Sequence, residues 1–126
     1  MALKFLIVDD SVTMRRIVVN SLKTIGHDLF AEAADGREAL VKLTSDDTIN
    51  FVITDWNMPD VSGLELVKAI RTNPKYGSIP ILMVTTRGLK EDIVEALQAK
   101  VNNYIVKPFT PQILREKIEQ IIGTPS

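Results

Sequence analysis

The chain has 126 residues, 45% of them hydrophobic and 25% charged, and its net charge of −1 favours neither nucleic acid nor an anionic membrane as a partner. With no cysteine and one histidine, it has no disulfide, thiolate metal site, thiol catalysis or multi-histidine metal site. No apolar run is long enough to span a membrane or has the form of a signal peptide, so we expect a cytoplasmic protein.

Strand and helix patterns alternate from the start of the chain. The apolar run at 3–9 predicts a strand, and apolar residues at helical spacing over 12–25 predict a helix. A weaker strand is predicted over 28–33. Asp35 then predicts the start of a second helix, with Glu38 as its capping-box partner.

The middle of the chain repeats this alternation. The run 50–55 is apolar enough for a strand covered on both faces. Ser62 predicts the next helix start, with Glu65 completing a capping box. A fourth strand is predicted over 78–84 and a fourth helix over 89–99.

The last unit has the same form. A strand is predicted over 103–106, and Thr110 followed by Pro111 is typical of a helix start. Residues 123–126 are predicted to end the last helix and form a short tail. Five βα units in succession predict one α/β domain over 1–126, a doubly wound parallel five-stranded sheet with helices on both faces and no appended effector domain.

Polar groups stand where the predicted strands end. Asp9 and Asp10 follow the first run, Asp55 the third, Thr85 the fourth and Lys107 the fifth. Because the carboxyl ends of parallel strands share one edge, where open α/β sheets bind ligands, these groups are expected to converge.

Such a cluster has definite chemistry. Two like charges about 4 Å apart repel by roughly 4 kcal/mol at an effective dielectric near 20, so three carboxylates need a cation or raised pKa values. Carboxylate oxygens suit Mg²⁺, the lysine and threonine suit phosphoryl oxygens, and an aspartate can itself be a phosphoryl acceptor. Two other classes remain open at this point. A flavin-binding protein would place a phosphate against Asp9 and Asp10, which repel it, and an aspartyl phosphatase would need Asp-x-Asp spacing.

These residues resemble those of the receiver domain of two-component response regulators. The segments DDSVTMRR, TDWNMPDVSG and VNNYIVKPFTPQ are most similar to the stand-alone chemotaxis regulators of the CheY type. The resemblance covers the whole chain and implies the flavodoxin-like strand order 2-1-3-4-5. It also implies a phosphorylation-driven binding switch that phosphorylates and dephosphorylates itself, as opposed to a turnover enzyme.

The resemblance implies a role for each residue of the cluster. Asp55 would be the phosphoacceptor. Asp10 and Asp55 would hold Mg²⁺ with the backbone carbonyl of Asn57, and Asp9 would act mostly through water. Water attack on the phosphorylated aspartate would reset the switch.

Three further residues would detect the phosphoryl group. Lys107 would pair with it, and the bond from Lys107 to Pro108 is expected to be cis. Thr85 would move toward a phosphoryl oxygen, and Tyr104 would then swing inward.

The implied partners are a histidine kinase, or a small acyl phosphate, as donor and the flagellar motor switch as the output target. A monomer is expected. The main alternative keeps the receiver chemistry but makes the protein a phosphorelay intermediate or a regulator of another kinase.

Some positions vary within the family or depart from its pattern. Asn57 and Arg87 lie at positions that tune phosphoryl lifetime. Thr86 replaces a smaller residue and would narrow phosphoryl access. Lys100-Val101 stands where Gly-Ala is usual, which predicts a locally altered helix end without loss of phosphorylation.

Other residues are assigned to the surface. Arg15 and Trp56 are candidate contacts for the kinase or another partner, with Trp56 expected to be partly exposed. The resemblance implies that Val106 would belong to the output face. Asp92 is expected on a solvated helix face and His27 in a surface loop.

Overall fold

In the computed structural model, which describes residues 2–123, five strands alternate with five helices. The strands are β1 Phe5–Val8, β2 Phe30–Ala33, β3 Phe51–Thr54, β4 Ile81–Thr85 and β5 Asn103–Val106. The helices are α1 Val12–Thr24, α2 Gly36–Ser45, α3 Gly63–Arg71, α4 Lys90–Gln98 and α5 Pro111–Ile122. The tail predicted for 124–126 lies outside the described residues.

The strands form one parallel sheet in the order β2-β1-β3-β4-β5, which confirms the expected doubly wound fold. Side chains of α2, α3 and α4 pack on one face of the sheet, and those of α1 and α5 pack on the other. β1 and β3 are buried along their whole length, as their unbroken apolar runs predict. Within residues 2–123, no helix is long and apolar enough to cross a membrane.

Side-chain caps begin four of the five helices, through Ser11, Asp35, Ser62 and Thr110. The capping box predicted between Ser62 and Glu65 is present in both directions. The one predicted for α2 was wrong. Asp35 accepts a hydrogen bond from the N–H of Glu38, but the Glu38 carboxylate lies 3.6 Å from Lys42 Nζ, one turn along the helix.

β4 begins three residues later than predicted. The N–H of Ile79 donates to the carbonyl of Tyr76, which closes a turn, and Pro80 has no N–H to give to a strand ladder. The carbonyl of Pro80 still accepts from Val52, so the chain enters the sheet at that point. β4 ends at Thr85, which places this hydroxyl at the carboxyl edge.

The end of α4 keeps the usual geometry despite its lysine, so the predicted altered cap was wrong. Lys100 has a φ of 80°, the left-handed conformation that normally favours glycine. Its N–H donates to Leu97, and the N–H of Val101 donates to Ala96, which together form a Schellman motif. Val101 is buried and supplies the apolar contact that accompanies this motif.

Candidate functional site

Three carboxylates meet at the carboxyl edge of the sheet. Asp9 and Asp55 each follow the last residue of a buried strand, and their backbone N–H groups continue the ladder by donating to Ala33 and Val8. One carboxylate oxygen from each of Asp9, Asp10 and Asp55 lies within 4.8 Å of the other two. The structure therefore brings together the acidic cluster predicted from the strand ends.

Lys107 joins two of these carboxylates from the end of β5. Its Nζ lies 3.1 Å from Asp9 Oδ2 and 3.6 Å from Asp55 Oδ2. The other oxygen of each carboxylate accepts a backbone hydrogen bond. Asp9 Oδ1 accepts from the N–H of Ser11 at 2.9 Å, and Asp55 Oδ1 accepts from the N–H of Trp56 at 2.7 Å. The bond from Lys107 to Pro108 is cis, as expected.

The donor set fits a divalent cation. Three carboxylates against one ammonium group leave two net negative charges within a few ångströms, and Asp10 is exposed and opens the cluster to solvent. Hard oxygen donors of this kind suit Mg²⁺. Asn57, predicted to contribute a backbone carbonyl, lies in the same surface depression as Asp10, Trp56 and Met58.

A glycine that was not predicted to belong to the site allows α3 to begin against the backbone of Asp55. Gly63 is the first residue of α3, and its N–H donates to the carbonyl of Trp56 at 2.8 Å. A Cβ at this position would lie 1.9 Å from the carbonyl oxygen of Asp55. Glycine directly after the Ser62 cap was the available sequence signal.

Thr85 and Tyr104 both contact the backbone of Arg87. The buried Thr85 hydroxyl accepts from the N–H of Arg87 at 3.4 Å, and the Tyr104 hydroxyl donates to the carbonyl of Arg87 at 2.8 Å. The Tyr104 ring already lies inward in this structure. Burial, followed by the charge of Asp92, raises the pKa of Tyr104 to about 12.

The Arg87 side chain lies across the mouth of the site. Its guanidinium carbon is 4.5 Å from the centre of the Trp56 ring, a cation–π contact. Its Nε donates to Asn57 Oδ1 at 2.9 Å, and its Nη1 lies 3.5 Å from Asp92 Oδ1. Asp92 was expected to be solvated, but its side chain is only 19% exposed because it faces this arginine.

Of the residues predicted to contact partners, two are turned inward. Trp56 is only 5% exposed, which corrects the expectation of a partly exposed aromatic. Arg15 donates through Nη1 to the carbonyl of Asp9 and through Nε to Glu32, so it supports the site's backbone. Val106 is exposed, and its role as a partner contact stays a prediction.

Thr86 is exposed and does not line the depression that contains Asp10 and Asn57. The narrowing of phosphoryl access that its size suggests stays a prediction.

Comparison with known proteins gives concordant matches. A model of the response regulator receiver domain matches residues 5–119. A Campylobacter jejuni protein named chemotaxis protein CheY homolog is 56% identical over 124 residues, which cover 98% of this chain and 95% of that protein. Chemotaxis protein CheY1 of Helicobacter pylori is 52% identical over 122 residues, covering 97% of this chain and 98% of the relative. The solved structure of chemotaxis response regulator CheY4 of Vibrio cholerae has a TM-score of 0.86 at 37% identity and covers 96% of this chain and 99% of its own.

Proposed function

The chain belongs to the response regulator receiver family and is of the CheY type, and on this premise we propose that it accepts a phosphoryl group on Asp55. The observation that carries the proposal is the ammonium group of Lys107, which lies between Asp9 and Asp55 inside the cluster of three carboxylates. Membership of this family leaves the flavin-binding alternative without support, and proteins of this type are signalling proteins.

In the proposed reaction a carboxylate oxygen of Asp55 attacks the phosphorus of a phosphohistidine on a kinase. The new O–P bond forms as the N–P bond breaks, and the imidazole leaves with the electron pair. Asp9, Asp10, Asp55 and the Asn57 carbonyl would hold Mg²⁺. When bound, the ion would neutralise charge on the phosphoryl oxygens. A small acyl phosphate would serve as donor in the same way.

Lys107 changes partner as the reaction proceeds. Before transfer its ammonium group offsets the charges of Asp9 and Asp55. Transfer removes the negative charge from the Asp55 carboxylate and places charge on phosphoryl oxygens, so the ammonium group would pair with one of these oxygens. Water attack at phosphorus would then release phosphate and restore the carboxylate.

Phosphorylation would change the protein surface through Thr85 and Tyr104, which both contact the backbone of Arg87. Movement of the Thr85 hydroxyl toward a phosphoryl oxygen would disturb this backbone and so change the surroundings of Tyr104. The exposed Val106 side chain at the end of β5 lies on the surface that would change. We propose that this surface binds a chemotaxis output partner, the flagellar motor switch, and that the protein works as a cytoplasmic monomer.

The output proposal is tested with purified components. A chemotaxis histidine kinase that carries a labelled phosphoryl group should transfer that group to this protein. The phosphorylated protein should then co-purify with the flagellar motor switch protein. Asp55→Asn should neither accept label nor gain binding. Rapid transfer without any gain in motor binding would contradict the proposed partner and favour a relay or kinase-regulating role.

A further inference from the structure

Arg87 has three different kinds of neighbour at the mouth of the site. The Trp56 ring lies beneath the guanidinium, the Asn57 side chain accepts from Nε, and the Asp92 carboxylate faces Nη1. Arg87 and Asp10 also line the same depression above the carboxylate cluster. The partly exposed guanidinium is therefore a positive charge at the mouth of the depression that Asp10 also lines.

Asp92 is the one acidic partner of Arg87 among residues 2–123. It lies in the first turn of α4, where the helix dipole favours a carboxylate, and its side chain is 19% exposed. The Arg87 side chain is 41% exposed, and the ion pair is long at 3.5 Å. A long, partly solvated pair is weak, so another anion can compete for this arginine.

We propose that Asp92 is a positioning residue that draws Arg87 away from the phosphoryl group and thereby sets the anion affinity of the site. The proposal rests on the function proposed for Asp55. Two anions share one guanidinium: the Asp92 carboxylate in the resting protein, and a phosphoryl oxygen or a similar tetrahedral anion at Asp55. Removing the carboxylate leaves Arg87 free for the second partner.

The size of the effect follows from the strength of the competing pair. Exposed ion pairs are typically worth about 0.2–1 kcal/mol, which corresponds to roughly 1.5- to 5-fold in an equilibrium constant. Asp92→Asn should therefore tighten anion binding by about 1.5- to 5-fold. Without Arg87, the same substitution should change binding by less than about 1.5-fold, because only its general effect on local charge remains.

The test uses beryllofluoride with Mg²⁺ as the phosphoryl mimic, and the fluorescence of Trp56, the only tryptophan, as the signal. Affinities are measured for the wild type, Asp92→Asn, Arg87→Gln and the double variant. The matched control is Glu91→Gln, which removes an exposed negative charge from the same helix turn. Because Arg87 lies on the Trp56 ring, the emission of the anion-free Asp92→Asn protein should also shift.

Tighter binding in Asp92→Asn that is absent from Glu91→Gln and from the Arg87→Gln background supports the proposal. Equal effects of Asp92→Asn and Glu91→Gln, or an undiminished effect without Arg87, would overturn it while leaving the function of Asp55 intact. If the wild type binds no beryllofluoride even with Mg²⁺, the proposed function fails together with this inference.

Discussion

At the scale of single residues, Gly63 determines how closely α3 approaches the backbone of Asp55, the proposed phosphoacceptor. Alanine is a better helix former than glycine by about 1 kcal/mol, so propensity alone favours Gly63→Ala. The added Cβ would lie 1.9 Å from the rigid carbonyl of Asp55. We therefore expect Gly63→Ala to lower the free energy of unfolding by about 2 kcal/mol, as measured by urea denaturation, and to slow phosphorylation.

Gly36 provides the matched control because it too begins a helix directly after the capping residue, which is Asp35. A Cβ there would lie 2.6 Å from Val61 Cγ1 and 2.9 Å from Val61 Cβ, but the nearest backbone atom is 3.2 Å away, so less backbone has to shift than at Gly63. Gly36→Ala should therefore cost less stability and leave phosphorylation unchanged. Equal losses from both substitutions would show that close approach to Asp55 is not the reason for glycine at 63.

Tyr104 is a second residue whose surroundings make a measurable prediction. Its pKa is raised to about 12, so the phenol ionises at a higher pH in the folded chain than in the unfolded one. Its contribution to stability is therefore complete below about pH 10 and is lost as the pH rises toward 12. Phenolate absorbance is followed by ultraviolet titration of the wild type and Tyr104→Phe. The difference between the two curves should have its midpoint near pH 12. A midpoint near 10 would contradict the burial of the hydroxyl.

At the scale of elements, α1 and α4 end in the same motif with different residues. Gly26 takes the left-handed position after α1 with a φ of 101°, and Lys100 takes it after α4 with a φ of 80°. A side chain in this conformation costs about 1 kcal/mol or more. We expect Lys100→Gly to raise the free energy of unfolding by about 1 kcal/mol in urea denaturation.

The neighbouring Ala99 supplies the control, since its φ of −76° suits any residue. Ala99→Gly should lower stability, because glycine there only adds freedom to the unfolded chain. If Lys100→Gly gains nothing over the wild type, the left-handed lysine is not strained. The bond that Arg71 Nε donates to the Lys100 carbonyl at 3.0 Å involves only the backbone of residue 100, so neither substitution removes it.

The elements also show why part of the site could be predicted from sequence. Asp9, Asp55, Thr85 and Lys107 were predicted to meet because each ends a strand, and parallel strands end at a common edge. The contact between Arg87 and Asp92 could not be predicted. It depends on how the loop before α4 folds over the sheet, and no periodic pattern encodes that path.

At the scale of the whole molecule, the five βα units followed from the alternation of patterns, whereas the strand order came from family resemblance. Periodicity identifies strands but does not say which of them are neighbours. The burial of Trp56 also belongs to this scale, because its ring is covered by elements distant in the chain, including the arginine after β4. Its position directly after Asp55 gave no signal of that burial.

The stability of the molecule should fall in two separate steps on acidification. Burial against Phe5 lowers the pKa of His27 below its ordinary value of 6.5, an effect that Asp28 partly opposes. The unfolded chain therefore takes up this proton first, so stability is lost as the pH falls below 6.5. Asp46, whose pKa is lowered to about 2 by hydrogen bonds from Lys4 and Thr48, loses its contribution between about 3.8 and 2.

Urea denaturation across this pH range separates the two steps. His27→Gln should remove the step just below pH 6.5 and leave the one below pH 3.8 in place, because the two pKa shifts have different causes: burial for His27, and hydrogen bonds from Lys4 and Thr48 for Asp46. Asp46→Asn should do the reverse. An unchanged upper step in His27→Gln would assign it to another group.

Intact-mass measurement after incubation with acetyl phosphate and Mg²⁺ tests most directly whether Asp55 is the phosphoacceptor. The wild type and the Asp60→Asn control, which alters an exposed acid in the following loop, should each gain one phosphoryl group. Asp55→Asn should gain none, and omission of Mg²⁺ should suppress the gain. A phosphoryl group that persists in Asp55→Asn, or a wild type that gains none, would contradict the account.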